Sequence, residues 1–195
     1  MAGQTKSKNV DLTTGIGVIS FPHLFTEQAE QNKNDKGIPQ YDCQFLIPKS
    51  DKDTARAILA AIKEVGEDKW GDNWKQFKNP FRDGDKESGL PTEDGSTRGE
   101  KYPERNGHWF INARSQKPIS VVDRQRIPIT DHSRVYAGCM VKIAVSFYVY
   151  SNSGNTGIGC SLNGVQFIRD GEPIAAGGKP AVESMFDMLD DEDLG

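Results

Sequence analysis

A chain of 195 residues, 35% hydrophobic and 27% charged, is long enough to bury one core without metal or disulfide staples. No run of 18 apolar residues marks a membrane span, and Met1–Asn9 lacks the apolar stretch of a signal peptide, which predicts a soluble intracellular protein. The net charge of −4 argues against a polyanionic partner only until its distribution is read: residues 183–195 hold six acids and no base, and the rest of the chain carries 24 bases against 22 acids.

In chain order, residues 14–21 read as a glycine-softened strand and residues 27–39 as a polar loop. Tyr41, Cys43, Phe45 and Ile47 alternate with Gln40, Asp42 and Gln44, which predicts a half-buried strand that Pro48 ends. The period then changes: Ile58, Leu59, Ile62 and Val65 recur at helical spacing behind an N-cap placed at Ser50, predicting one amphipathic helix over about 51–66. Trp70, Trp74 and Phe77 either extend it or form a short separate helix, and read as core packing. Residues 79–107 are rich in Pro, Gly, Asp, Glu, Lys and Ser, a composition that predicts a long inserted loop without a core of its own.

Strands resume at 108–114 and 118–123, followed by a basic connection over 124–134, a long strand over 137–150, a hairpin turn around Ser153-Gly154-Asn155 and a last strand over 157–169. About five strands and one main helix predict a mainly β fold, a small closed or partly closed barrel. The long strand alternates cleanly: Val141, Ile143, Val145, Phe147 and Val149 share the core face, while Lys142, Ala144, Ser146, Tyr148 and Tyr150 share the other. Tyrosines with small neighbours and a lysine on an outward face suit base stacking. In the strand 108–114, His108, Phe110, Asn112 and Arg114 share one face and Trp109, Ile111 and Ala113 the other; each face carries an aromatic, so alternation leaves the buried one open, and if Phe110 is outward it extends that patch with Arg114.

Residues 98–142 carry nine bases against four acids. Within and around that stretch Lys117, Arg124, Arg126, Arg134 and Lys142 are candidate phosphate contacts, because guanidinium and ammonium groups complement phosphate oxygens. No catalytic site is predicted: His23, His108 and His132 lack a nucleophile partner, and no Walker-type loop, G-x-S-x-G or H-E-x-x-H occurs. Cys43, Cys139 and Cys160 lie far apart, without a second Cys or His at ligand spacing, and read as small core residues. No metal or cofactor is expected.

The segments Phe45-Leu46-Ile47-Pro48-Lys49, Phe110-Ile111-Asn112-Ala113, Val135-Tyr136-Ala137-Gly138-Cys139, Phe147-Tyr148-Val149-Tyr150 and Gly164-Val165-Gln166-Phe167-Ile168-Arg169-Asp170-Gly171-Glu172, in this order and spacing, resemble the single-stranded DNA-binding proteins of tailed bacteriophages. The likeness runs from about residue 12 to residue 172 and is poor over 79–107. It implies an OB-fold-like five-stranded barrel over 1–172 that coats single strands without sequence preference during phage replication, recombination or repair, in the cytoplasm of an infected bacterium.

Residues 173–195 are expected to form a flexible linker and a disordered acidic tail, which resembles the tails of single-strand-binding proteins. Asp187, Asp190, Asp191, Glu192 and Asp193 are read as a tethered DNA mimic, interleaved with Phe186, Met188, Leu189 and Leu194 for docking a replication or recombination partner. The competing readings are a virion structural or scaffold protein, whose tail only aids solubility, and a metal-dependent nuclease. The sequence leaves homo-oligomerisation open.

Overall fold

The computed structural model describes residues 8–152 and 154–174. The acidic-tail residues Phe186 to Leu194, the linker 175–178 and Ser153 lie outside the described residues. The fold is mainly β with one long helix, as the alternation and the single helical stretch imply.

Among the described residues eight strands make one sheet: β1 (Val10–Thr13), β2 (Gly17–His23), β3 (Tyr41–Pro48), β4 (Arg82–Asp83), β5 (His108–Ser115), β6 (Ser120–Val122), β7 (Met140–Asn152) and β8 (Asn155–Arg169). β2 pairs with β3, β3 with β5, β5 in parallel with β8, β8 with β7, and β7 with β2, so the path returns to its start. The short strands β1, β4 and β6 attach to β7, β5 and β8 from outside this ring. They bring the count to eight where about five strands were expected: β6 falls within the expected strand 118–123, whereas β1 and β4, of four and two residues, are too short to leave an alternation in the sequence.

Inside the ring, alternate residues of every long strand meet. Ile19, Cys43, Phe45, Ile47, Ile111, Ala113, Val141, Ile143, Val145, Phe147, Ile158, Cys160, Leu162 and Val165 are buried in one cluster. The three cysteines are free and buried, and desolvation pushes the Cys160 thiol up to about 12, which leaves it a protonated, inert core group. The helix α2 (Lys52–Trp70), the second in the chain, packs Ile58, Ala61, Ile62 and Val65 against the same cluster. Its N-cap is Asp51, not Ser50: the Asp51 carboxylate accepts from the Thr54 backbone N–H at 3.0 Å. A short 3-10 helix, Gly71–Gln76, follows it directly. There Trp74 leans on Gly66, and Trp70 stacks on Phe77 with ring centroids 4.0 Å apart.

Two expectations about loops change. The polar stretch 27–39 contains part of a helical turn, α1 (Thr26–Gln31). Its start is held by the Gln28 side chain, which accepts from the backbone N–H groups of Leu24 and Phe25. Only Ala29 of that helix is buried, so no apolar period announces it.

The inserted segment 79–107 is ordered around β4, α3 (Gly84–Glu87), α4 (Arg98–Lys101) and a 3-10 turn at Pro103–Arg105. Lys49 anchors it through Asp83 at 2.7 Å and Asp85 at 2.5 Å, and Glu87 joins Arg82 and Arg98. Gly84 is there because a Cβ would stand 1.9 Å from the Arg105 carbonyl oxygen. The segment has no core of its own, but it covers one: Leu46 and Phe110, opposite each other on β3 and β5, are buried beneath it on the outer face of the ring.

Candidate nucleic-acid interface

Beside the insertion, the outer face of β3 and β5 is left uncovered. Leu46 and Phe110 lie under the insertion; in the next outward pair Gln44 is still buried, hydrogen-bonded to Arg105 of the insertion, while Asn112 is exposed, and the pair after that is Asp42 and Arg114. Asn112 and Arg114 line two clefts, one on either side of them. The first, of about 360 Å³, is walled by Phe21, His23, Asp42, Tyr102 and Arg105. The second, of about 620 Å³, is walled by Lys78, Arg82, Gln116, Tyr148, Tyr150 and Asn155. Because they share Asn112 and Arg114, the two clefts form one groove across the sheet.

Aromatic side chains stand at both ends of it. Phe21 takes φ +47°, a left-handed conformation rare for a bulky residue, at a point where the β2–β3 register shifts between Ser20 and His23. Plain alternation would send Phe21 inward with Ile19. The bulge turns it out instead, 38% exposed, with its ring edge-on to Tyr102 at 5.9 Å. At the other end Tyr148 and Tyr150 face outward from β7 opposite Gly159 and Gly157 of β8. A Cβ on Gly159 would stand 2.6 Å from Tyr148 Cζ, so the tyrosine ring lies over backbone where a side chain would otherwise be.

Cations line the groove between these ends. The Arg105 guanidinium lies 3.8 Å from the Tyr102 ring centroid and 5.0 Å from that of Phe110, and its Nε donates to Gln44 Oε1 at 2.8 Å. Burial pulls its pKa below the ordinary guanidinium value, and among the described residues no carboxylate forms an ion pair with it. Glu104 and Glu87 act on it without a direct ion pair, so an arriving anion would supply the close partner that this partly desolvated cation lacks. Lys78 donates to Asn155 Oδ1 at 2.9 Å, and its carbonyl accepts from the Ile158 N–H, tying the second cleft to the β7–β8 hairpin. Asp42 is engaged by His23 Nδ1 at 2.7 Å.

The residues singled out in the sequence divide. Arg114, Tyr148 and Tyr150 meet in the groove. Phe110, expected outward as a stacking residue, does sit on the outer face but is fully buried, beneath the Arg82 and Arg105 guanidinium groups at 4.9 and 5.0 Å; the insertion occupies the face a base would need. Arg126 and Lys142 line a separate cleft of about 300 Å³ with Thr13, Ser120 and Gln166. Lys117 and Arg124 are exposed on turns flanking β6. Arg134 lies 5.2 Å over the Phe167 ring, at the end of β7 away from the tyrosines.

Among the groove residues that escaped the sequence-based site are Phe21, Lys78, Tyr102, Arg105 and Asn112. Two of them sit in a segment whose composition reads as loop, and the first is turned outward by a bulge. Among the described residues no three His, Cys, Asp or Glu side chains gather as a metal site.

Comparison with known proteins gives a consistent result. The family model described as "Enterobacter phage Enc34, ssDNA-binding protein" matches residues 11–194. A putative protein p50 of Acyrthosiphon pisum secondary endosymbiont phage 1 is 35% identical over 185 residues, covering 90% of this chain and 94% of that protein. The fold is similar to that of the single-stranded DNA-binding protein of bacteriophage Enc34 in complex with ssDNA, with a TM-score of 0.64 at 21% identity over 85% of this chain and 89% of that one. It is also similar to gp2.5, a single-stranded DNA-binding protein of bacteriophage T7, with a TM-score of 0.58 at 13% identity over 88% and 98% of the two chains.

Proposed function

The chain belongs to the family of the Enterobacter phage Enc34 ssDNA-binding protein, and from that premise we propose that it binds single-stranded DNA, without catalysis, along the groove from Phe21 and Tyr102 to Tyr148 and Tyr150. The observation that carries this reading is the junction of two clefts at Asn112 and Arg114, with aromatic rings at each end and Arg105 between them. Stacking surfaces joined by cations are what a sequence-tolerant single-strand site requires. The pairing order β2–β3–β5–β8–β7–β2, with β5 and β8 parallel, supports reading the ring as an OB-type barrel, whose outer sheet face and loops serve such ligands. The setting inferred is phage DNA replication, recombination or repair in an infected bacterium.

Fluorescence polarisation with oligo-dT, duplex DNA and RNA, with and without Mg²⁺, tests the reading directly. Tight binding of oligo-dT without cleavage is expected. Strand scission would favour a nuclease, and a folded protein that binds none of them would favour a structural role. The charged part of the site is read from salt dependence, since each phosphate neutralised on a single strand contributes about −0.7 to the slope of log K against log salt. Arg105→Ala and Arg114→Ala are each expected to flatten the slope by about that amount, whereas Arg126→Ala and Lys142→Ala, in the separate cleft, are expected to leave it unchanged.

The proposal extends to the acidic end of the chain. Six acids without a base at 183–195 suit a tethered competitor for a cationic groove, held at high effective concentration by a linker containing Gly177 and Gly178. Bound DNA would release Phe186, Met188, Leu189 and Leu194 for a protein partner. Deleting 183–195 is expected to tighten oligo-dT binding at low salt, with the gain shrinking as salt screens the competition. Equal affinity of full-length and truncated chains at low salt would refute the competition.

A further inference from the structure

At the junction of the two clefts, hydrogen-bond polarity runs in one direction. Gln44 is 4% exposed and makes two side-chain contacts, with Arg105 Nε at 2.8 Å and with Asn112 at 2.9 Å. A guanidinium group has N–H donors and no acceptor, so the Gln44 atom facing Arg105 must be Oε1. Its Nε2 then faces Asn112 and donates, so Asn112 accepts through Oδ1. The Nδ2 amino group of Asn112 is thereby turned away from Gln44. It has no partner among the described residues, and Asn112 is an exposed residue lining both clefts. Arg114 beside it can also only donate, and the carboxylate lining that part of the groove, Asp42, is engaged by His23.

We infer that Arg105 and Gln44 lock Asn112 as a hydrogen-bond donor, and that the floor of the groove therefore favours pyrimidines carrying a carbonyl at C4 over those carrying an amino group there. This rests on the groove being the DNA site, and deepens that reading by naming a specificity-determining residue and the two residues that orient it. Uracil and cytosine are nearly equal in size and stacking surface. At C4, where uracil presents a carbonyl acceptor, cytosine presents an amino donor, and with Asn112 Nδ2 facing that edge donor meets donor. Gln44→Glu inverts the arrangement: the carboxylate it introduces would accept both from Arg105 and from a flipped Asn112, whose Oδ1 would then face the groove.

The test is the ratio of affinities of the full chain for oligodeoxyuridine and oligodeoxycytidine of one length, in mildly alkaline buffer. The unmodified protein is expected to favour oligodeoxyuridine by about 3- to 10-fold, the range of one neutral hydrogen bond. Gln44→Glu is expected to bring the ratio below one. Asn112→Asp, at an exposed position where folding is not at risk, is expected to do the same by presenting a carboxylate oxygen. Its added charge repels both strands alike and cancels in the ratio. Equal affinities for the two strands, or a ratio that Asn112→Asp leaves unmoved while both strands still bind, would overturn this inference alone. Failure of the unmodified protein to bind either strand would overturn the groove assignment, and this inference with it.

Discussion

Tyr148→Ala and Tyr150→Ala are each expected to weaken oligo-dT binding by about 1 to 3 kcal/mol, roughly 5- to 150-fold, with little change in thermal stability. Both rings are outside the core cluster, on the face of β7 opposite Val145, Phe147 and Val149, so truncation removes stacking surface without opening a cavity. The orientation of the platform is set from the neighbouring strand. Gly159 and Gly157 pair with Tyr148 and Tyr150 across the ladder, and a Cβ at either would stand within 3.0 Å of the tyrosine opposite. Gly159→Val keeps Tyr148 but displaces its ring, and is expected to reproduce a large part of the affinity loss of Tyr148→Ala. Unchanged oligo-dT affinity in both tyrosine variants, with the protein folded, would place the stacking surface elsewhere.

How much of this was legible in the sequence differs from element to element, for physical reasons. β7 was readable because it pairs on both sides and buries one face along its length, so Val141 to Val149 alternate without interruption. α2 was readable because a helix packed on a sheet needs a periodic apolar stripe. The insertion was not. Its helices are four residues long and are held by side-chain caps at Asp83 and Thr97 and by the Lys49 and Glu87 ion pairs, and such links leave polar letters indistinguishable from those of a loop.

The same distinction divides the candidate site. Tyr148 and Tyr150 followed from alternation along β7, whereas for Arg114 alternation left the outward face open, since both faces of 108–114 carry an aromatic. Phe21 did not, because a bulge reverses its side, and Arg105 did not, because its place is fixed by Gly84 and by Tyr102 in a segment without periodicity. Clustered positive charge along residues 98–142 marks a stretch rather than a face: it includes Arg105 and Arg114, which line the groove, and Arg126 and Lys142, which line a separate cleft.

Phe110→Ala is expected to act on stability first and on binding only as a consequence. Alternation puts Phe110 on the same outward face as Asn112 and Arg114, but the side chain is 0% exposed, beside Leu46 and beneath Arg82 and Arg105. Removing a buried phenyl ring costs about 3 to 5 kcal/mol, the lost transfer energy plus a cavity, which is a large share of the roughly 5 to 15 kcal/mol that holds a typical domain together. The cavity would open directly under the insertion, where Arg105 rests on the ring. Guanidinium unfolding should therefore show the stability loss, and limited proteolysis should show earlier cutting within 79–107. Phe110→Leu, which refills most of the space, should restore much of both, and with them the position of Arg105 and the oligo-dT affinity. A stacking residue would behave in the opposite way: Phe110→Ala would leave the unfolding midpoint in place and reduce affinity, and Phe110→Leu, with no aromatic face, would not rescue it.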